Sequence, residues 1–249
     1  MSNKELQSKY DEMHSKGPIS WFSDGREERE TILEMGEPWD GLDVLEIGCG
    51  EGDLCKAMAD KGAYVIGIDY SAVAIDKADK KSTGRLSFWA GDYTKFDWED
   101  YGNPTCIVMQ GVLEHLDDPF GELQWMIDHF KPKTVITSSP CFLNPRGIVW
   151  MTMDMLGAVM SKTDLHYLNP WEFEEFCKKH GYELDIQDCD WDWGNGKDMI
   201  ADLAQRIPLA LRDGGLKSKK ATSELLEWLS RFKFDIAPGA TMVYRIDID

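Results

Sequence analysis

The chain has no pair of cysteines spaced C-x-x-C, no apolar run of membrane-spanning length and far fewer bases than acids. Its six cysteines, at 49, 55, 106, 141, 177 and 189, are scattered, and nothing at the N-terminus resembles a secretion signal. Both absences argue against a disulfide framework and point to a reduced, cytoplasmic setting. The longest apolar stretch, GIVWMTMDMLGAVM at 147–160, is too short for a membrane span and carries Asp154. Lysine and arginine number 27 against 45 acids, a formal charge of −18. Such a surface repels a phosphate backbone unless bases gather locally, and only Lys217, Lys219 and Lys220 cluster, so nucleic acid is not expected as a partner. No acid cluster has metal-ligand spacing, so no metal-binding residues are named and metal dependence stays open. Internal repeats and low-complexity tracts are missing too.

What is present is a regular alternation. At 249 residues and 43% apolar composition, the chain has the size of one domain with insertions. LDVLEIG, YVIGID, LSFWAGD, PTCIVMQGV and TVITSSP read as strands, most of them continuous apolar runs. Between them lie helical stretches: DLCKAMADKG stopped by Gly62, SAVAIDKADKK capped by Ser71, and PFGELQWMIDHF opened by proline. WEFEEFCKKHG is a further helix, followed by the alternating strand YELDIQDCDW and a last strand TMVYRIDI. Near the N-terminus, Asp24 stands as a cap before the helical REERETILEM. This pattern predicts an α/β, Rossmann-like, doubly wound sheet of seven strands, mostly parallel with an antiparallel edge strand. We expect a single domain over 1–249, with a cap segment at 1–40 and helical insertions at 140–168 and 194–238, the latter holding KDMIADLAQRI and SELLEWLSRF.

The turn after the first strand carries the chemistry. In EIGCGEG, glycines at 48, 50 and 52 lay the backbone bare at the start of a helix, where free N–H groups await a ligand. A dinucleotide site needs G-x-G-x-x-G, and the third glycine position here is Asp53, an acid that would repel a pyrophosphate. A nicotinamide-dependent dehydrogenase is therefore excluded.

EIGCGEG, GIDYS at 67–71, AGDY at 90–93, QGVLEHLDDP at 110–119 and FKPKTVITSSP at 130–140 resemble, in order and spacing, the motifs of class I S-adenosylmethionine (SAM)-dependent methyltransferases. Within them the chain is similar to the small-molecule branch that includes the ubiquinone-biosynthesis O-methyltransferases. The resemblance covers roughly 42–140. It implies SAM as cofactor, with Gly48, Cys49, Gly50 and Gly52 around its amino-acid and ribose part and Glu46 beneath them. It also implies Asp69 on the ribose hydroxyls, Asp92 on the adenine amine, and Tyr70, Tyr93 and Gln110 beside them. Trp21 would fold over from the cap, with Tyr10 and Arg26 as weaker candidates for the SAM carboxylate. The physics agrees, since a carboxylate can accept two hydrogen bonds from a diol and a positively charged cofactor tolerates three nearby acids. Cys106 and the pair Lys133–Thr134 depart from the family pattern, outside the glycine turn.

The implied reaction is methyl transfer to a small-molecule acceptor, with a hydroxyl oxygen the favoured site. A hydroxyl needs a base, and His115 and His166 are the two candidates. The methionine-rich stretch at 147–160 would suit a lid over an apolar acceptor. Alternatives are a protein or amine acceptor, or a SAM-binding sensor or partner subunit without transfer activity. Oligomeric state stays open. The acids of DCDWDWGNGKD and the SSPCF segment have simpler readings, as a strand face and as a loop containing Cys141.

Overall fold

The computed structural model describes residues 8, 11, 15, 26–96, 102–158, 160, 163–189, 196–217, 219–231 and 241–248. Seven strands form one sheet in the order β3-β2-β1-β4-β5-β7-β6. They are β1 (Asp43–Ile47), β2 (Tyr64–Asp69), β3 (Leu86–Ala90), β4 (Cys106–Gln110), β5 (Thr134–Pro140), β6 (Glu183–Asp188) and β7 (Thr241–Asp247). Strands β1 to β5 pair in parallel, while β7 lies antiparallel to both β5 and β6. The expected antiparallel component is thus β7, inserted one place in from the edge.

The helices follow the sequence signals. They are α1 (Arg26–Met35), α2 (Asp53–Asp60), α3 (Ala72–Ala78), α4 (Pro119–Phe130), α5 (Pro145–Met155), α6 (Pro170–His180), α7 (Gly196–Asp213) and α8 (Lys219–Leu229). Ser71 caps α3 by accepting from the Ala74 N–H at 3.2 Å, and Gly181 ends α6 in the left-handed conformation at φ 81°. Asp24, the expected cap of α1, lies outside the described residues, as do Trp191 and Trp193.

Strand alternation divides the side chains between two faces. One face packs Leu45, Ile107, Met109 and Val135 against Leu123 and Phe130 of α4 and Phe173 of α6, and the Phe173 ring stacks on Tyr244 of β7 at 3.7 Å. The other packs Val44, Val65 and Val108 against Ile32 of α1 and Leu54 and Met58 of α2. Each such buried side chain contributes about 1.5–3 kcal/mol of transfer free energy. A third apolar cluster lies apart from the sheet. There Trp150 and Met153 of α5 meet Met199, Leu203 and Ile207 of α7 and Leu229 of α8, so the two insertions pack on each other. At their junction Asp202 accepts from Arg146 Nε at 2.8 Å and Arg206 Nε at 2.5 Å, and both guanidinium groups lie over the Trp150 ring. Among the described residues, no helix is long and apolar enough to cross a membrane.

Candidate active site

Chain order reverses at β1, whose neighbours are β2 and β4, and a crevice opens at the carboxyl ends of these strands. The glycine turn fills it. Gly48, Gly50 and Gly52 all have positive φ, at 72°, 52° and 77°, which other residues adopt only with strain. Space imposes the same choice. A Cβ on Gly48 would stand 2.5 Å from Cγ2 of Val112, and one on Gly52 would stand 2.5 Å from the Phe88 ring. The turn is tied to β2 by the N–H groups of Gly48 and Cys49, both donating to the Ile68 carbonyl at 2.8 and 3.1 Å.

Asp69 ends β2 and holds the loops on either side of it. Its Oδ2 accepts from the Gly50 N–H at 2.9 Å and its Oδ1 from the Ser71 N–H at 2.8 Å. Those bonds fix the carboxylate against the glycine turn. Beyond it a cavity of about 440 Å³ opens, lined by Gly48, Gly50, Asp69, Tyr70, Gln110 and His115 among others.

The far end of that cavity is built from the turn after β3 and the start of α4. Asp92 Oδ1 accepts from the Thr94 N–H at 3.0 Å and its hydroxyl at 2.6 Å, while Oδ2 pairs with Lys95 at 2.8 Å. Burial pushes the Asp92 carboxyl up, but the hydrogen bonds from Lys95 and Thr94 outweigh it and hold the group below its ordinary value. Tyr93 donates its hydroxyl to Oε2 of Glu122 at 2.7 Å, and both residues line the cavity. Burial, followed by the charge of Asp92, pushes the Tyr70 hydroxyl up to about 12.

Glu46 sits beneath the glycine turn with only 2% of its surface exposed, and its Oε2 has no hydrogen-bond partner among the described residues. Burial pushes its carboxyl up to about 8, with the nearby charge of Asp69 adding to the shift against the Cys55 thiol. Glu46 and Cys49 line a smaller concavity of about 240 Å³ with Arg29, Gly48, Gly50 and Gln110. Gln110 Nε2 donates to Oε2 of Glu28 at 2.8 Å. Helix α1 is thereby latched to the end of β4, although Glu28 and Gln110 are far apart in sequence.

His115 follows β4 and lines the larger cavity. Its Nδ1 is 3.0 Å from the Thr163 carbonyl and 3.6 Å from Asp164 Oδ1, and burial holds the ring below the ordinary histidine value. Beside it, Glu114 is buried and its carboxyl is pushed well up by burial and by the charge of Asp164. The Leu165 and His166 N–H groups donate to the Glu114 carbonyl at 2.8 and 3.2 Å, docking residues 163–166 onto this loop. The His166 side chain is not among those lining the cavity and lies within electrostatic reach of Glu172 on α6.

Of the residues expected from sequence, Gly48, Gly50, Asp69, Tyr70, Asp92, Tyr93, Gln110 and His115 meet around one cavity. Glu46 and Cys49 lie in the adjoining one, and Gly52 sits below as the N-cap of α2. Trp21 and Tyr10 fall outside the described residues, as does the side chain of Arg26. Sequence reasoning did not single out Glu28, Arg29 or Glu122. All three are helix acids or bases with no motif around them.

The family model described as Methyltransferase domain matches residues 23–187, about two thirds of the chain. The chain belongs to this methyltransferase family. A ubiquinone biosynthesis O-methyltransferase from Saccharophagus degradans is 25% identical over 191 residues, covering 72% of this methyltransferase and 76% of the relative. Across the first such relatives, the match spans from about half to three quarters of their length. Among solved structures, the fold is similar to that of the DhpI–SAM–HEP complex, with a TM-score of 0.60, 13% identity and full coverage of both chains. It is also similar to magnesium protoporphyrin IX methyltransferase from Synechocystis PCC 6803 with bound SAH, at a TM-score of 0.58 and 17% identity over 76% of this chain and 94% of that one.

Proposed function

We propose that this methyltransferase takes its methyl group from S-adenosylmethionine and delivers it to a hydroxyl oxygen of a small-molecule acceptor. The observation that carries the reading is Asp69, whose two oxygens are held by the Gly50 and Ser71 N–H groups on the cavity wall, beside bare glycine backbone. A carboxylate so fixed suits a ribose diol.

The rest of the site fits the same cofactor. A side chain on Gly48 would fill the cradle next to Val112, and beneath it Glu46 keeps a buried oxygen that has no hydrogen-bond partner among the described residues. Asp69, Asp92, Asp117 and Glu122 all line the cavity, a lining that favours a ligand with positive charge over a pyrophosphate. Arg29, in the concavity by the glycine turn, would hold the carboxylate of the amino-acid end.

When bound, the sulfonium supplies a methyl carbon open to in-line attack. The chain's own residues position the two partners and move one proton. With Nδ1–H donating to the Thr163 carbonyl, the neutral His115 ring keeps its lone pair on Nε2, which lies 3.9 Å from Oε1 of Glu114 and would take the acceptor's proton. Asp164 then faces the imidazolium through Nδ1. His166, outside the lining and within electrostatic reach of Glu172 on α6, is given no chemical role. The helical insertions at 140–168 and 194–238, whose described residues pack on each other, shape the acceptor side of a single domain over 1–249, while the cap segment expected at 1–40 lies outside the described residues for most of its length before α1. Oxygen as the attacked atom draws support from the O-methyltransferase name of the Saccharophagus relative.

Calorimetric titration of the protein with SAM, S-adenosylhomocysteine and NADH tests the cofactor. Micromolar binding of the two sulfur compounds and none of NADH is expected, followed by label transfer from methyl-labelled SAM to members of a phenol panel. Binding of SAM without transfer to any hydroxyl, amine or protein acceptor would favour a non-catalytic SAM-binding subunit. No binding of either sulfur compound by folded protein would overturn the assignment.

A further inference from the structure

Two acids compete for the base end of the cavity. Asp92 is the one that motif resemblance assigns to the adenine amine, yet its oxygens already accept from the Thr94 N–H, the Thr94 hydroxyl and Lys95. It caps the turn Tyr93–Lys95, and the Tyr70 hydroxyl adds a further hydrogen bond. A carboxylate offers about four lone-pair sites, so Asp92 is close to saturated without any ligand. Glu122 stands differently. It projects from the first turn of α4 into the same cavity, and among the described residues it takes a single hydrogen bond, from Tyr93 to Oε2. Its Oε1 remains open.

We propose that Glu122, held in place by the Tyr93 hydroxyl, accepts the exocyclic amine of the cofactor's adenine and so sets the choice of base. The assignment rests on the cofactor reading given above. Three features support it. Asp69 fixes the ribose at the end of β2, and Asp92, Tyr93 and Thr94 follow β3, the next strand outward, so the base extends toward them. Glu122 reaches that group from the first turn of α4, within 2.7 Å of the Tyr93 hydroxyl. Tyr93 is buried and its hydroxyl is pushed up by burial and by Glu122, so it stays protonated and donates, which turns the carboxylate's second oxygen to the cavity. Asp92 in this arrangement is a positioning residue that shapes the turn carrying Tyr93.

The amine is a two-hydrogen donor, whereas the deaminated base presents an acceptor carbonyl at the same place. A carboxylate therefore distinguishes them, and an amide in its place reverses the preference. The experiment is calorimetric titration of wild type, Glu122→Gln, Tyr93→Phe and Asp92→Asn with S-adenosylhomocysteine and with S-inosylhomocysteine, each variant checked for folding by its thermal melt. Wild type should favour the adenosyl compound by about tenfold or more, the worth of a charge-assisted hydrogen bond. Glu122→Gln should remove or invert that ratio, Tyr93→Phe should reduce it, and Asp92→Asn should weaken both ligands together. An unchanged ratio in Glu122→Gln, or a ratio that collapses in Asp92→Asn alone, would overturn the proposal and return the amine to Asp92. Failure of wild type to bind either nucleoside would overturn the cofactor reading itself, and this assignment with it.

Discussion

Replacing Asp69 by asparagine separates what this carboxylate does for the fold from what it does for the ligand. In the folded chain it accepts two backbone N–H groups, from Gly50 at 2.9 Å and Ser71 at 2.8 Å. Asparagine keeps one acceptor, and its amide nitrogen must then face the other N–H, donor against donor. Losing one charge-assisted hydrogen bond and leaving a partly buried N–H unpaired should cost about 2–4 kcal/mol. A domain of ordinary stability, about 5–15 kcal/mol, survives that. The ligand effect comes on top of it. If the removed charge also holds the ribose, S-adenosylhomocysteine affinity should fall at least about tenfold. Urea unfolding with and without ligand reads both quantities. At a ligand concentration 100 times the wild-type Kd, wild type should gain about 2.7 kcal/mol and a tenfold weaker variant about 1.4 kcal/mol. A variant that loses stability without ligand but keeps the full ligand increment would show that Asp69 only staples the loops.

Three further outcomes follow from the geometry. His115→Ala should lower kcat about 10²- to 10⁴-fold, while His166→Ala should retain most turnover. In wild type, kcat/KM should rise through a pKa below the ordinary histidine value, and that limb should vanish with His115, as steady-state pH profiles would show. Glu46, with its pKa raised from 4.5 to about 8, binds a proton more readily folded than unfolded. Its contribution to stability is therefore full below about pH 4.5 and is lost as pH rises toward 8, by up to a few kcal/mol. Glu46→Gln should flatten that slope in urea midpoints, leaving the part due to Glu28 and Glu114, whose carboxyls are raised in the same direction. Asp202→Asn leaves the Arg146 and Arg206 guanidinium groups facing each other without their shared carboxylate and should cost about 3–5 kcal/mol. Hydrogen exchange should quicken in α5 and α7, with β1 to β4 unchanged.

Much of this molecule could be read from its residues because the decisive signals are local. The glycine turn, Ser71 and Gly181 are each required by backbone conformation within a few residues, so their patterns survive translation into structure. Asp69 and the end of β4 were legible for the same reason, as strand ends beside a turn. Glu28 was not, because its meaning arises only when α1 lies across the end of β4 and brings it to Gln110. Glu122 reads as an ordinary acid in the first turn of a helix until Tyr93 closes on it. His115 and His166 look equivalent in sequence, and only the docking of 163–166 onto the Glu114 carbonyl places one ring on the cavity wall and the other near α6. The position of β7 inside the sheet edge depends on long-range pairing that no short window contains.

The ion pair between Arg146 and Asp202 bears on how the two insertions can change. One partner belongs to the insertion after β5 and the other to the insertion between β6 and β7. Drift in either segment alone strands a buried charge, so the two are expected to evolve as a linked pair. The same holds for grafting: a chimera that imports one insertion from a relative should fail, and one that imports both should fold. Strands β1 to β4 carry the glycine turn and Asp69, and the loop after β4 meets the first insertion at residues 163–166, through the Glu114 carbonyl and His115, so an exchanged block would have to keep that seam as well.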